Sequence, residues 1–198
     1  VDVTTEVNFI WSIANKLRGP YQSDKYKDVI IPMTIIRRFE CALADTKEAV
    51  VAKFKQNPAC PPKLMYHISQ YHFYNTSEYT LAELCNDADH LADNFKNYLE
   101  GFSANVQEII KSLSFYDEIE KMNENNRLYA VVKAFSELDM DPKTIDSVKM
   151  GYIFEELIRK FSENAEAGDH YTGKDIVTCM VAIALSEGCE DLQEEGKV

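Results

Sequence analysis

No stretch of this chain approaches the roughly 20 consecutive apolar residues needed to cross a bilayer, so no membrane-spanning helix is expected. Its longest apolar run, residues 29–36, is interrupted by Pro32 and Thr34. The opening Val-Asp-Val-Thr-Thr-Glu has neither the basic nor the apolar segment of a secretory signal, and its lack of Met implies a processed or trimmed chain. Gly and Pro are scarce, 7 and 6 in 198 residues, which argues against a low-complexity segment and for a stable globule. The five cysteines are an odd number without a Cys-x-x-Cys pair, against both a disulfide framework and a structural zinc site. They read as reduced thiols, and the cytoplasm is the natural compartment. His67 and His72 lack a nearby ligand pair, and no metal is expected.

Positive charge is the other shortage. Against 33 Asp and Glu there are 21 Lys and Arg, a formal net charge of −12. Grip on double-stranded DNA comes chiefly from Lys and Arg replacing condensed counterions, so this chain alone should bind DNA poorly. Any contact must come from a local patch, for which the candidates are Lys16 with Arg18, or Arg37 with Arg38. Both pairs read more simply as solvated or ion-paired helix residues, and neither is nominated as a DNA contact.

What the chain does contain is helical periodicity. Val7, Ile10, Trp11, Ala14 and Leu17 repeat at three and four, a first helix ended by Gly19-Pro20 with Trp11 as a core anchor. Val29, Met33, Ile36, Leu43 and Val50 extend the pattern into a second helix running to about Lys55, with Pro32 confined to its first turn. Residues 64–84 lose the period: Tyr66, Tyr71, Phe73, Tyr74 and Tyr79 alternate with Ser, Thr and Asn, which predicts an irregular or short β segment. Without adjacent basic residues, these rings read as packing rather than as a base-stacking surface. The helical period resumes from Leu91 to Phe102 and from Val106 to Leu113, as two helices or one kinked helix. After a polar break at residues 123–126 it runs from Leu128 to Leu138, and after an Asp141-Pro142 turn from Met150 to Phe161. The expected fold is mainly α, a helical domain of six to eight helices without internal repeats.

The most informative stretch is the decapeptide Ala-Gly-Asp-His-Tyr-Thr-Gly-Lys-Asp-Ile, residues 167–176. Thr172 and Asp175 fit a capping box at a helix start. Behind them Ile176, Val177, Met180, Val181 and Ala184 form the stripe of an amphipathic helix buried on one side. The unpaired N–H groups of that helix end suit a carboxylate or phosphate.

Gly168-Asp169-His170-Tyr171-Thr172, with Lys174 and Asp175-Ile176-Val177 behind it, resembles the G-x-x-(Y/F)-T-P-R segment of adenine-specific DNA methyltransferases, in particular the methylation (modification) subunit of type I restriction-modification systems. The chain departs at Gly173, where the family usually has Pro; Gly keeps the turn possible but loosens it. Two further segments are similar to the same family. Residues 9–19, Phe-Ile-Trp-Ser-Ile-Ala-Asn-Lys-Leu-Arg-Gly, with Tyr26-Lys27-Asp28-Val29-Ile30, resemble its W-x-x-A-d-x-L-R-G … Y-K-x-v-i opening. Residues 151–161, Gly-Tyr-Ile-Phe-Glu-Glu-Leu-Ile-Arg-Lys-Phe, resemble its G-x-x-Y-E-x-L-I-x-x-F helix. The three segments stand in family order and cover residues 8–185.

The resemblance implies a parent that transfers methyl from S-adenosylmethionine to the adenine amino group in a specific DNA sequence. Residues 1–165 would be its helical N-terminal domain, serving DNA enclosure and subunit assembly, and residues 166–198 the start of the methyltransferase domain. Asp169, His170, Tyr171, Thr172, Gly173 and Lys174 would form one wall of the cofactor site, with Tyr171 and Thr172 the nearest contacts. Implied partners are the specificity and restriction subunits, double-stranded DNA and a second copy of the modification subunit; no membrane is implied. Neither the glycine-rich cofactor turn, D-P-x-x-G-x-G-G, nor the (N/D)-P-P-(F/Y) adenine pocket occurs: Asn57-Pro58 is followed by Ala59, and Pro61-Pro62 follows Cys60. The chain is therefore expected to stop short of the catalytic motifs and to be inactive alone. The rival reading is an acidic helical interaction module without an enzymatic parent.

Overall fold

Helix α9, Leu128–Ser136, has the densest apolar composition of the chain, and the fold is built round it. Leu128, Val131, Val132, Ala134 and Phe135 are all buried, and helices α1, α2, α5, α6 and α8 pack on it from different sides. The computed structural model describes residues 2–163 and 174–184. In chain order its elements are α1 (Thr4–Ala14), two 3-10 turns (Asn15–Leu17 and Ser23–Lys25), α2 (Lys27–Leu43), α3 (Lys47–Gln56), α4 (Pro62–Ser69), α5 (Leu81–Leu84), α6 (Leu91–Glu100), α7 (Ala104–Ser112), α8 (Phe115–Glu124), α9, α10 (Ser147–Glu163) and α11 (Lys174–Ala184). The mainly α architecture stands as expected. Among the described residues there are eleven α-helices rather than six to eight, and no strand, only the isolated bridges Arg18–Tyr21 and Asn75–Phe102.

The excess has local causes. The stretch expected as one helix from Val29 to Lys55 is two, because the chain turns at Ala44-Asp45-Thr46, where the Thr46 hydroxyl meets the Leu43 and Ser69 carbonyls, each at 3.3 Å. Helix α2 also begins earlier than the apolar pattern does, with Ile30 N–H donating to the Tyr26 carbonyl at 2.9 Å. Pro32 consequently lies inside the helix and not in its first turn, and has no N–H to give to the Asp28 carbonyl. The residues from Leu91 to Leu113 form two helices, α6 and α7, broken at Gly101 to Ser103.

The tyrosine-rich stretch is partly helical. Pro62 occupies the first turn of α4, where its fixed φ and missing donor fit, so residues 64–69 are helix, residues 81–84 are α5, and only residues 70–80 between them are irregular. That segment is tied down by backbone pairing: Thr76 N–H donates to the Gly101 carbonyl at 2.8 Å and Ser103 N–H to the Tyr74 carbonyl at 3.0 Å. Asn75, buried, donates to the Tyr98 carbonyl at 3.1 Å and accepts from Ser77 N–H at 2.7 Å. The rings pack on one another and on α2, with Phe39 and Phe73 4.6 Å apart and Tyr66 and Tyr74 5.6 Å apart.

The close approach of these two strings of backbone requires glycine at position 101. A Cβ there would lie 2.5 Å from the Asn75 side-chain oxygen and 2.7 Å from the Ser77 nitrogen. Gly101→Ala is expected to destabilise the fold by about 2 kcal/mol, read as a lower urea midpoint at unchanged slope.

Helix α10 returns to the first helix. Trp11 is half-buried, its ring 5.4 Å from that of Phe161, and Lys149 Nζ donates to Glu6 at 2.7 Å. The Lys149 hydrogen bond holds the Glu6 carboxyl below its ordinary value of 4.5. A carboxylate with a lowered folded-state pKa contributes stability above its unfolded value and loses it as pH falls through the folded one. Lys149→Gln should therefore cost about 0.5–1 kcal/mol at pH 7, a deficit that closes as pH falls below 4.5 in parallel thermal melts.

Candidate functional site

Of the expected cofactor wall, Asp169, His170, Tyr171, Thr172 and Gly173 lie outside the described residues. Lys174 is the first residue of α11. The helix behind it forms where the period places it, but its stripe is not buried: Ile176, Val177, Met180 and Val181 are 45–61% exposed. An apolar stripe is covered only where another surface meets it, and none does so among the described residues.

The structure instead organises polar chemistry around Glu40. This carboxylate lies on the buried face of α2, four residues after Ile36 and three before Leu43, and is only 9% exposed. Three donors from three helices converge on it: Arg37 Nη1 at 2.5 Å, the backbone N–H of Leu81 at the start of α5 at 2.7 Å, and the hydroxyl of Tyr98 on α6 at 3.1 Å. Burial, reinforced by the Glu40 charge, raises the Tyr98 hydroxyl well above its usual range, so it serves as a donor. Lys47 lies over the same ring, 5.7 Å from its centroid, and donates to the Ser77 carbonyl at 2.7 Å. Burial lowers its ammonium pKa. Beside this network opens a cleft of about 770 Å³, whose apolar lining comes from Ala44, Val51, Ala52 and Ala82.

Both oxygens of Glu40 are already engaged, so the group is a structural anchor rather than a base available to a substrate. Among the described residues no cluster of three or more His, Cys, Asp and Glu could hold a metal. Cys41, Cys60 and Cys85 are half-buried free thiols and Cys179 an exposed one. Sequence reasoning missed Glu40, although one signal was available: an acid at a core position of the α2 stripe.

The two basic pairs separate. Arg37 Nε donates to the Leu138 carbonyl at 2.7 Å, and Arg38 Nη1 to the carbonyls of Met140 and Ile145 at 2.8 and 2.6 Å. Both are therefore fixed to the loop before α10, and neither offers its charge to a ligand. Lys16 and Arg18 stay exposed on the turn after α1.

Removing the Glu40 anchor should be costly, because Arg37, Tyr98 and the Leu81 N–H would lose their acceptor in a buried setting. Glu40→Ala is expected to lower unfolding free energy by about 3 kcal/mol or more, a loss that urea denaturation would resolve.

Compared with known proteins, the chain matches the family described as HsdM N-terminal domain over residues 7–135. No curated protein and no solved structure gave a significant match.

Proposed function

The chain belongs to the HsdM N-terminal domain family, the N-terminal domain of the type I restriction-modification methylation subunit, and from that premise we propose that its parent methylates the adenine amino group in a specific DNA sequence. The observation that carries this reading is a match spanning residues 7–135, followed in order by the Gly151–Phe161 helix and the segment ending at Lys174. In this proposal residues 1–165 are a helical domain that helps enclose DNA and joins the specificity subunit, the restriction subunit and a second methylation subunit in the cytoplasm. Residues 166–198 begin the methyltransferase domain.

The methyl group comes from S-adenosylmethionine in this reading. Asp169 to Lys174 would supply one wall of its site, Tyr171 by ring packing and Thr172 through its hydroxyl or the N–H groups of the helix start. The sequence holds no glycine-rich turn that would let backbone approach the cofactor. One wall supports at best millimolar affinity, about 4 kcal/mol of binding free energy. Titration calorimetry of this chain should give no tighter value, and low-micromolar binding would sink the one-wall assignment.

The parent's activity has its own test. The complete methylation subunit, purified with its specificity subunit, should transfer label from S-adenosylmethionine to adenine in duplex DNA, recovered as N6-methyladenine after digestion. Label recovered only in cytosine, or none transferred, would refute the reading.

A further inference from the structure

In so acidic a chain many of the cations have internal work. Half-buried Arg37, Arg38 and Lys47 hold backbone carbonyls and half-buried Lys149 pairs with Glu6, while the exposed Lys55 and Lys143 pair with carboxylates at the surface. Lys16, Arg18, Lys121 and Arg127 do neither job well. None of the four comes within 4.0 Å of a carboxylate among the described residues.

The fold brings them together from distant parts of the sequence. Gly19, at φ +107°, turns the chain after α1 in a conformation other residues rarely adopt, and Arg18 bridges to Tyr21. The Tyr21 hydroxyl reaches across to α8, donating to Glu118 Oε2 at 2.7 Å, and Lys121 Nζ sits 4.1 Å above the same ring. Asn126, in the left-handed region at φ 56°, folds the end of α8 back so that Arg127 N–H donates to the Met122 carbonyl at 2.8 Å. The Arg127 guanidinium then lies against the Arg18 backbone, with Nη2 3.5 Å from that carbonyl, and its Nε is shut off from solvent without an acceptor. Of the acids near Tyr21, Glu118 accepts its hydroxyl, and Asp28 lies close enough to act on it electrostatically.

Arg127 against the backbone of Arg18, Lys121 over the ring of Tyr21, and Lys16 two residues before Arg18 put four cations on one corner of the fold; Arg18 Nη2 spends one donor on Asn15 Oδ1 at 3.3 Å, and the remaining guanidinium and ammonium donors suit phosphodiester oxygens. We propose that Lys16, Arg18, Lys121 and Arg127 form a phosphate-contacting patch that seats this domain on the backbone of duplex DNA. The assignment rests on the reading above that the domain lies against DNA, and adds where it does so. Contacts of this kind position a protein on the duplex without reading its sequence, which suits a subunit whose sequence choice is made elsewhere. The surrounding negative charge keeps the isolated chain's affinity low and confines attachment to this face.

The test is a titration of a labelled duplex of about 30 base pairs with the 198-residue chain, by fluorescence anisotropy, in salt steps upward from about 20 mM. Binding should appear at the low end, with log K falling against log salt at a slope of about −3 to −4, near 0.9 per neutralised phosphate. The double variant Lys16→Gln/Arg18→Gln, at two exposed positions, should reduce that slope by about two while circular dichroism and thermal melting stay unchanged. The charge-matched pair Lys53→Gln/Lys63→Gln, on α3 and α4, should leave the slope alone. The patch is overturned if the control pair weakens binding as much, if the patch pair leaves the slope unchanged, or if the unaltered chain shows no binding at the lowest salt. None of these outcomes touches the methyl-transfer assay of the complete subunit, which decides the parent reading separately.

Discussion

The carboxylate of Glu40 sets the relative placement of helices that lie far apart in sequence. It binds the start of α5 through a backbone N–H, the last turn of α6 through a tyrosine hydroxyl, and its own helix through Arg37, which in turn holds the Leu138 carbonyl beyond α9. A buried charge is tolerated only when nearly all its hydrogen-bonding capacity is met, so these elements cannot slide past one another without leaving a charge or donor unpaired. Apolar packing round α9 supplies most of the driving force for folding, but it is nondirectional. The polar anchor selects one arrangement of that packing.

The same helix shows how an acidic domain distributes its few cations. Arg37 and Arg38 sit side by side in sequence, and both turn inward to satisfy carbonyls of the loop that leads into α10. Cations used in this way contribute to order and are lost to any partner. Among the cations left for an outside ligand are Lys16, Arg18 and Arg127 on the turns Asn15–Gly19 and Glu124–Arg127, where positive-φ backbone at Gly19 and Asn126 prevents either helix from running on, with Lys121 on the last turn of α8 beside them.

Much of this fold was legible in the sequence, and the failures have local explanations. Helices α1, α9 and α10 carry an uninterrupted apolar period; Gly19-Pro20 follows the first, and Asp141-Pro142 separates the other two. The break between α2 and α3 has no glycine or proline, because a threonine hydroxyl does the work. Helix α8 escaped notice for a related reason: it starts after Ser114, which takes a left-handed conformation without being glycine. At the level of the site, the family could be named from three short segments. Glu40 was hidden because an acid in an apolar stripe carries no label saying which donors will reach it. Lys121 and Arg127 were invisible as neighbours of Arg18, since more than a hundred residues separate them from it and only Tyr21 and Gly19 bring them near.

The exposed stripe of α11 bears on the colloidal behaviour of the chain. Four large apolar side chains on one helix attract their counterparts on other molecules at short range, while a net charge of −12 repels at long range. Only the second of these forces is screened by salt, whose Debye length is about 10 Å at 0.1 M. Repulsion of this kind opposes association at low salt, and added electrolyte, by screening it, shifts the balance toward self-association through the α11 stripe, which no other surface covers among the described residues.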